Sequence, residues 1–306
     1  MQKFYSNGKL LITGEYLVLD GAKALAIPTK FGQDLIINEI DQPKLIWESY
    51  DEKGEAWFKS EFELNKLEIL DSDKDFKTTK MLQKILKETQ KLNPEFLDIE
   101  SGFHVKTNLT FPRNWGLGSS STLINNIANW AKINAYELLN NSFGGSGYDI
   151  ACAESNSPVL YQLLDQKPII EKVNFNPDFN DQLYFVHLNK KQNSREGIAN
   201  YREFTGNISA VAEEISQLTK EILKAKKLED FERMIEHHEI IIASILKQDP
   251  VQEKLFSDYF GQTKSLGAWG GDFILATGNK DTPKYFKEKG FETVLSYREM
   301  ILSSNE

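Results

Sequence analysis

A glycine-rich loop that runs directly into a helix is the feature of this sequence that most limits its fold. The loop occupies residues 111–118 (FPRNWGLG), and apolar residues then recur at three- and four-residue spacings from Ile124 to Leu138. This period is typical of a helix with one buried face. The serines and threonine at 119–122 are candidate N-cap residues. The pattern predicts a helix that begins near residue 119 and includes Leu138.

The loop also has a chemical interpretation. Glycines allow a backbone to adopt positive φ and allow a ligand to approach closely. The first turn of a helix carries unpaired N–H groups and a partial positive charge, which favour an anion. The Walker pattern G-x-x-x-x-G-K-[ST] is absent from the chain. From these residues alone, the segment is either a phosphate-binding loop or an ordinary capped turn into a helix.

Two more glycine-rich segments occur later in the chain. The first, at 144–147 (GGSG), precedes Asp149 at a predicted helix start, and the second is 267–271 (GAWGG). Asp149 is either a helix N-terminal carboxylate or a group that accepts or orients a proton of an attacking hydroxyl. The second segment joins two apolar runs, which is a general hairpin signal.

The order of the periodic segments predicts an α+β fold. Residues 1–65 are β-rich and are expected to form an antiparallel set of strands, whereas 194–247 are strongly helical. We predict an N-terminal lobe at 1–175 and a C-terminal lobe at 176–306. The individual elements expected are strands at 102–109, 159–164, 169–173, 183–188 and 273–277, and helices at 78–91, 148–155, 194–203, 205–225, 229–247 and 282–288.

The charge and cysteine content favour a cytoplasmic protein with a small-molecule partner. The net charge is −9 over 306 residues, which disfavours binding to nucleic acid or to anionic membranes. Cys152 is the single cysteine, so an intrachain disulfide is excluded and a reducing compartment is expected. The sequence has no apolar run long enough to cross a bilayer. It leaves open whether the protein is a monomer or a homodimer.

Together with the N-terminal segment NGKLLITGEY at 7–16, these glycine-rich segments resemble the motifs of the GHMP kinases. That family includes galactokinase, homoserine kinase, mevalonate kinase and phosphomevalonate kinase. The motifs occur in the family's order, near positions 8, 116, 147 and 267, and they cover most of the chain. The resemblance implies a two-lobe α+β fold, with an N-terminal lobe like the second domain of a small-subunit ribosomal protein and a ferredoxin-like C-terminal lobe.

The resemblance also implies ATP and Mg²⁺ as cofactors and a role for each matching residue. Asp149 and Lys9 match the catalytic aspartate and the lysine near the acceptor oxygen. The residues implied to bind ATP are Gly116, Leu117, Gly118, Ser119, Ser120 and Ser121, and those implied to bind Mg²⁺ are Ser120 and Glu137. The residues implied to bind the substrate are Glu15, Ser146, Gly147, Arg195, Gly270 and Gly271.

Within the family, the chain looks more like phosphomevalonate kinase than mevalonate kinase. It carries G-E-Y at 14–16, G-G-D at 270–272 and a cationic segment, KKQNSREG, at 190–197. The implied activity is transfer of the γ-phosphoryl group of ATP to a small anionic metabolite, phosphomevalonate or mevalonate, in isoprenoid precursor synthesis. The alternatives are a kinase for a sugar or an amino-acid alcohol, a related decarboxylase, and a catalytically silent ligand-binding member. Lys9, Ser120 and Asp149 count against the silent member, and Trp269, which stands where the family usually has a small residue, is the one feature in its favour.

Overall fold

Strands and helices follow one another along the chain in an α+β order, which confirms the predicted fold class. The structure, a computed structural model, describes residues 1–73, 75–97, 101–191 and 194–302. The strands are β1 (Gln2–Leu11), β2 (Ala24–Ile40), β3 (Lys44–Tyr50), β4 (Ala56–Glu63), β5 (Ile69–Ser72), β6 (Gly102–Leu109), β7 (Val159–Leu164), β8 (Lys167–Lys172), β9 (Leu183–His187), β10 (Thr263–Ser265), β11 (Phe273–Thr277) and β12 (Val294–Ser296).

Most helical residues lie at 119–154 and 194–255, and the other helices alternate with strands. Among the residues described, no helix combines the length and apolar character needed to cross a bilayer. The helices are α1 (Phe76–Leu92), α2 (Ser119–Ala131), α3 (Ala135–Ser142), α4 (Tyr148–Glu154), α5 (Ser194–Arg202), α6 (Ile208–Lys224), α7 (Leu228–Leu246), α8 (Val251–Leu255), α9 (Thr282–Glu288) and α10 (Tyr297–Met300).

The chain forms two compact units, each assembled from several segments. Strands β1 and β2 contribute residues to both units, so the units do not follow one another simply along the sequence. The lobe boundary between 175 and 176 stays a prediction. The first unit comprises Met1–Gly8, Phe31–Arg113 and Leu117–Glu154, and the second comprises Lys9–Lys30, Asn114–Gly116 and Ser155–Glu306.

The first unit packs helices on a sheet with the strand order β5-β4-β3-β6-β2. Strands β3 and β6 are parallel, and the other neighbours in this part of the sheet are antiparallel. Alternate residues of β3 are buried, so Leu45 and Trp47 lie in one core with Ile85 of α1, Ile127 of α2 and Ile150 of α4. Each such side chain contributes roughly 1.5–3 kcal/mol by leaving water.

The helix predicted from 119 through Leu138 is two helices. Lys132 ends α2 with a left-handed backbone at φ 54°, and the side chain of Asn134 then accepts the N–H groups of Tyr136 and Glu137 at the start of α3. The apolar period continues across the break because both helices bury residues in the same core. Periodicity alone therefore did not reveal the Asn134 cap.

The second unit contains an antiparallel sheet with the order β10-β11-β9-β12, while β7 pairs with β8 and with the start of β2. Helices α6 and α7 pack against each other and bury Ile215 and Ile242 in one core. The segment Tyr16–Leu19 lies in the region expected to form strands, but it is not extended. Tyr16 has φ 62° and leads into a 3₁₀ turn, Leu17–Asp20, whose apolar residues Leu17 and Val18 are buried.

Candidate active site

The start of α2, in the first unit, has the features of an anion-binding helix terminus. Gly118 occupies the N-cap position with a left-handed backbone at φ 90°, and a glycine has no side chain with which to cap the helix. Its carbonyl accepts the N–H groups of Ser121 and Thr122, at 3.0 Å each. Ser120 is exposed, whereas Leu117 is buried. Backbone N–H groups and serine hydroxyls therefore meet at one helix end, as a bound phosphate requires.

A buried hydrogen-bond network holds this helix start in place. Thr122 donates to Gln33 Oε1 at 2.7 Å, and Asn126 Nδ2 donates to the carbonyl of Gln33 at 2.9 Å. Ser6 of β1 donates to Asn126 Oδ1 at 2.8 Å and accepts from Asn125 at 3.0 Å. The sequence motifs did not indicate these residues. The available signal was the pair Asn125-Asn126 inside an apolar helix pattern, because buried amides need partners.

Asp149 lies in the first turn of α4, also in the first unit. Gly147 immediately precedes this helix, and its carbonyl accepts the N–H groups of Ile150 and Ala151. Asp149 is half-buried, while Ser146 and Gly147 are buried. Helix α4 packs against α2. The first unit thus brings together the two helices that begin at the predicted phosphate loop and at the predicted catalytic aspartate.

Glu137, the predicted Mg²⁺ ligand, lies in the first turn of α3. The Asn134 side chain caps its backbone N–H at 3.2 Å, and the residue is exposed. Helix α3 packs against α1 and α2. The carboxylate is therefore carried on a helix that contacts the helix of the predicted phosphate loop.

In the second unit, Lys9 lies against the glycine that opens the predicted phosphate loop. Its ammonium donates to the carbonyl oxygen of Gly116 at 3.3 Å, and Gly116 has a left-handed backbone at φ 69°. Lys9 is half-buried. The structure thus places the predicted catalytic lysine beside the first predicted ATP-binding residue.

Glu15, predicted to bind substrate, lies in a buried charged cluster that also contains His238, Glu239 and Lys264. Lys264 Nζ is 2.5 Å from Glu15 Oε1 and 3.8 Å from Glu239 Oε1, and the Glu15 and Lys264 side chains have no exposed surface. His238 Nε2 lies 3.3 Å from Glu15 Oε2 and accepts the N–H of Gly14 at 3.0 Å. The substrate role of Glu15 stays a prediction. Its burial favours a role in holding the loop Gly14–Tyr16.

Burial sets the protonation of this cluster. It raises the pKa of Glu15 to about 7, because the nearby Lys264 ammonium offsets only part of the desolvation. It also raises the pKa of Glu239. Burial and then the charge of Lys264 hold the pKa of His238 well below its usual range, so the imidazole is neutral and can accept the Gly14 N–H. The cluster therefore fixes the backbone of the N-terminal glycine motif.

The variant Glu15→Gln is expected to flatten the dependence of stability on pH. Glu15 binds a proton more tightly in the folded protein than in the unfolded chain, where its pKa is 4.5. The raised pKa of Glu15 therefore stabilises the folded protein fully below pH 4.5, and this stabilisation is lost as the pH rises through about 7. In denaturant titrations from about pH 5 to 8, the free energy of unfolding of the wild type should fall by on the order of 2 kcal/mol more than that of the variant. Parallel profiles would contradict this assignment.

Trp269, the residue that departs from the family pattern, is a buried anchor of the third glycine-rich segment. Its indole N–H donates to Glu239 Oε1 at 3.0 Å, and its backbone N–H donates to the Tyr16 hydroxyl at 3.1 Å. The Tyr16 ring stacks on Tyr201 of α5 at 5.8 Å, and a Cβ at Gly197 of α5 would lie 2.4 Å from the Tyr16 hydroxyl. Tyr16 therefore connects the N-terminal motif, the third motif and α5.

The remaining predicted substrate residues also belong to the second unit. Gly270 is exposed with φ 85°, and Gly271 is buried. Lys190 and Lys191 of the cationic segment are exposed. Arg195 belongs to α5, and its side chain lies outside what the structure describes, as do residues 192–193 of the same segment.

The fold of this chain matches that of solved kinase structures. The mevalonate kinase of Methanococcus jannaschii aligns with a TM-score of 0.71 and 17% identity, over 99% of this chain and 98% of that one. The phosphomevalonate kinase of Streptococcus pneumoniae, solved with phosphomevalonate and AMPPNP, aligns with a TM-score of 0.70 and 16% identity, over 97% of this chain and 100% of that one. The chain has the GHMP-kinase fold.

A sugar kinase also has this fold. The galactokinase of Lactococcus lactis, solved with galactose, aligns with a TM-score of 0.68 and 15% identity, over 94% of this chain and 88% of that one. No family model and no curated protein matches the sequence. The predicted resemblance is therefore confirmed at the level of the GHMP-kinase fold, and the acceptor substrate is a separate question.

Proposed function

We propose that this chain is an ATP-dependent kinase that transfers the γ-phosphoryl group of ATP to an oxygen of a small anionic metabolite. The observation that carries the proposal is the start of α2. Gly118 has a left-handed backbone and no side chain to cap this helix, so the first N–H groups of the helix are available to bind an anion. The fold supports the proposal, because solved kinases share it over nearly the whole length of this chain.

The residues present fit the triphosphate of ATP. Helix α2 is 13 residues long and directs its partial positive charge and its first N–H groups toward the serine-rich turn. In the proposed complex, the backbone of Gly116–Ser121 holds the β- and γ-phosphates. ATP supplies the transferred group, and the chain positions it and stabilises charge, which is most of what phosphoryl transfer requires.

Asp149 and Lys9 have separate roles in the proposed reaction. The Asp149 carboxylate orients the acceptor oxygen and accepts its proton as the new oxygen–phosphorus bond forms and the bond to ADP breaks. The Lys9 ammonium stabilises the negative charge that develops at the acceptor. Where the acceptor oxygen belongs to a phosphate that is already ionised, Asp149 acts through orientation.

The proposed Mg²⁺ ligands are the hydroxyl of Ser120 and the carboxylate of Glu137. Both residues are exposed and carry the oxygen ligands that Mg²⁺ prefers. Mg²⁺ generally keeps several waters and is completed by substrate phosphates, so few protein ligands are needed. The ion would neutralise charge on the transferring phosphoryl group.

The proposed acceptor is phosphomevalonate or mevalonate. The sequence features G-E-Y and G-G-D support the phosphomevalonate branch, and the exposed Lys190 and Lys191 supply positive charge for an anionic substrate. A sugar or amino-acid alcohol is the second candidate, favoured by the fold shared with galactokinase. Trp269 no longer supports a catalytically silent member, because its side chain packs in the core of the second unit.

A coupled ADP-release assay with phosphomevalonate, mevalonate, homoserine and galactose tests the proposal. We expect kcat/KM for phosphomevalonate or mevalonate to exceed that for the other two by at least ~100-fold, because a site built for a net anionic substrate rejects neutral galactose and homoserine, whose ammonium cancels the charge of its carboxylate. Turnover of galactose alone would overturn the choice of acceptor. Titration calorimetry that shows no binding of ATP with Mg²⁺ would overturn the kinase itself.

A further inference from the structure

Asp272, which follows the third glycine-rich segment, has an unusual backbone conformation. Its φ is 53°, in the left-handed region that side-chain-bearing residues rarely adopt. Two hydrogen bonds fix both of its peptide groups: its N–H donates to the carbonyl of Lys190 at 2.7 Å, and its carbonyl accepts the N–H of Leu188 at 2.8 Å. The surrounding structure therefore maintains a conformation that the residue would not adopt by itself.

This conformation places the Asp272 carboxylate directly over Gly116. A Cβ at residue 116 would lie 2.4 Å from the carboxyl carbon of Asp272, and 2.5 and 2.7 Å from its two oxygens. Real Cβ atoms do not approach other atoms so closely, so the carboxylate occupies the space that a side chain at 116 would need. The positive φ of Gly116 favours glycine, and a side chain at 116 would also have to displace the Asp272 carboxylate.

The residues before Gly116 are held by the same part of the second unit. The carbonyl of Asn114 lies 3.1 Å from Nε2 of His187. The ring of Trp115 packs edge-on against Phe273, the neighbour of Asp272, at 5.4 Å between centroids. Residues Asn114–Gly116 of the loop therefore each contact the part of the second unit around Asp272.

Gly116 is also the residue that Lys9 contacts. The Lys9 ammonium donates to the Gly116 carbonyl at 3.3 Å. The orientation of that carbonyl depends on the backbone angles of Gly116, and a glycine without constraints adopts many of them. A side chain that restricts Gly116 therefore also restricts where the ammonium of Lys9 is held.

We propose that Asp272 is a positioning residue, which holds Gly116 in its left-handed conformation and thereby places both the phosphate loop and the Lys9 ammonium. The inference rests on the proposed function, since it assigns Asp272 to the loop that would bind ATP. Pre-ordering a loop strengthens binding because less conformational freedom is lost in the complex.

The full-length variants Asp272→Ala and Asp272→Asn test this role. Asp272→Ala is expected to weaken binding of a fluorescent ATP analogue by roughly 5- to 30-fold, the size of effect that ordering one residue's backbone produces. It should also lower kcat, because the ammonium of Lys9 is displaced. Asp272→Asn keeps the shape and is expected to restore binding to within about three-fold of the wild type. Asp281→Ala, at an exposed aspartate of the same unit, is the matched control.

A double-variant cycle isolates the contact with Gly116. Gly116→Ala should weaken nucleotide binding at least ~5-fold more in the wild-type background than in Asp272→Gly, where the space for a Cβ is free. A general loss of structure would give additive effects. Additive effects, or wild-type affinity in Asp272→Ala, would overturn the role of Asp272 and leave the proposed function unaffected. A wild type that binds no nucleotide would overturn the proposed function and the inference with it.

Discussion

Replacing Asp149 by asparagine is expected to lower kcat by roughly 10²- to 10⁴-fold, the usual contribution of a general base. Asparagine has nearly the same shape, so the first turn of α4 and its packing against α2 should be kept. The amide does not accept a proton from the acceptor hydroxyl. Because ATP is proposed to bind at the start of α2, its dissociation constant should change by less than about three-fold.

The size of this loss also distinguishes between the proposed acceptors. A hydroxyl acceptor needs its proton removed, which places the loss near the upper end of the range. A phosphate acceptor is already ionised at neutral pH and needs mainly orientation, which places the loss near the lower end. Measuring kcat for Asp149→Asn with both mevalonate and phosphomevalonate therefore tests the role of the carboxylate directly.

The matched control for this experiment is Glu154→Gln. Glu154 is the last residue of α4 and is exposed, so the change removes one carboxylate from the same helix without altering its first turn. We expect kcat to stay within about two-fold of the wild type, as is usual for surface changes. Unchanged turnover in Asp149→Asn would remove Asp149 from the mechanism, whereas equal losses in both variants would indicate damage to α4.

The sequence predicted those elements whose signal is local. Strands β6, β7 and β11 and helix α9 have the bounds expected from alternation and turn residues. The first two glycine-rich segments were also placed correctly next to helix starts, because glycine and serine act within one turn of the backbone. The break between α2 and α3 was missed, because the apolar residues keep their three- and four-residue spacing across the three residues that separate the helices.

The side-chain contacts that hold the candidate site in place could not be predicted, because they join distant parts of the chain. Glu15 and Lys264 are 249 positions apart, and no pattern in one segment indicates the other. His237 is exposed, whereas its neighbour His238 on the same helix is fully buried and accepts the Gly14 N–H. Adjacent residues on a helix face different ways, which the sequence showed without indicating which of them faces inward.

Trp269 shows that the sequence alone does not indicate where a large residue in a glycine-rich segment lies. Its size at that position is the one sequence feature that favours a catalytically silent member. In the structure, the indole is only 3% exposed and donates to Glu239 Oε1. The extra volume therefore belongs to the core of the second unit, where it completes the buried charged cluster.

The variant Lys264→Met is expected to lower the free energy of unfolding by about 3–5 kcal/mol, the usual cost of removing one partner from a buried ion pair. Methionine matches the lysine stem in volume, so the loss is electrostatic and not a cavity effect. Glu15 and Glu239 would both remain buried without the ammonium that now lies 2.5 and 3.8 Å from them. Since domains are stable by only about 5–15 kcal/mol, this is a large fraction of the total.

Two further variants establish that the loss comes from the buried pair. Lys254→Met removes an exposed lysine from α8, which packs against the strand that carries Lys264, and should change stability by less than about 0.5 kcal/mol. The double variant Glu15→Met with Lys264→Met removes the closer pair and should recover at least ~1 kcal/mol relative to Lys264→Met, because one buried carboxylate, Glu239, is then left without the ammonium instead of two. Denaturant unfolding measures all three. If Lys264→Met were as stable as the wild type, the cluster would not hold the Gly14–Tyr16 loop, and the tie between that loop and Trp269 would have to come from the Tyr16 hydroxyl alone.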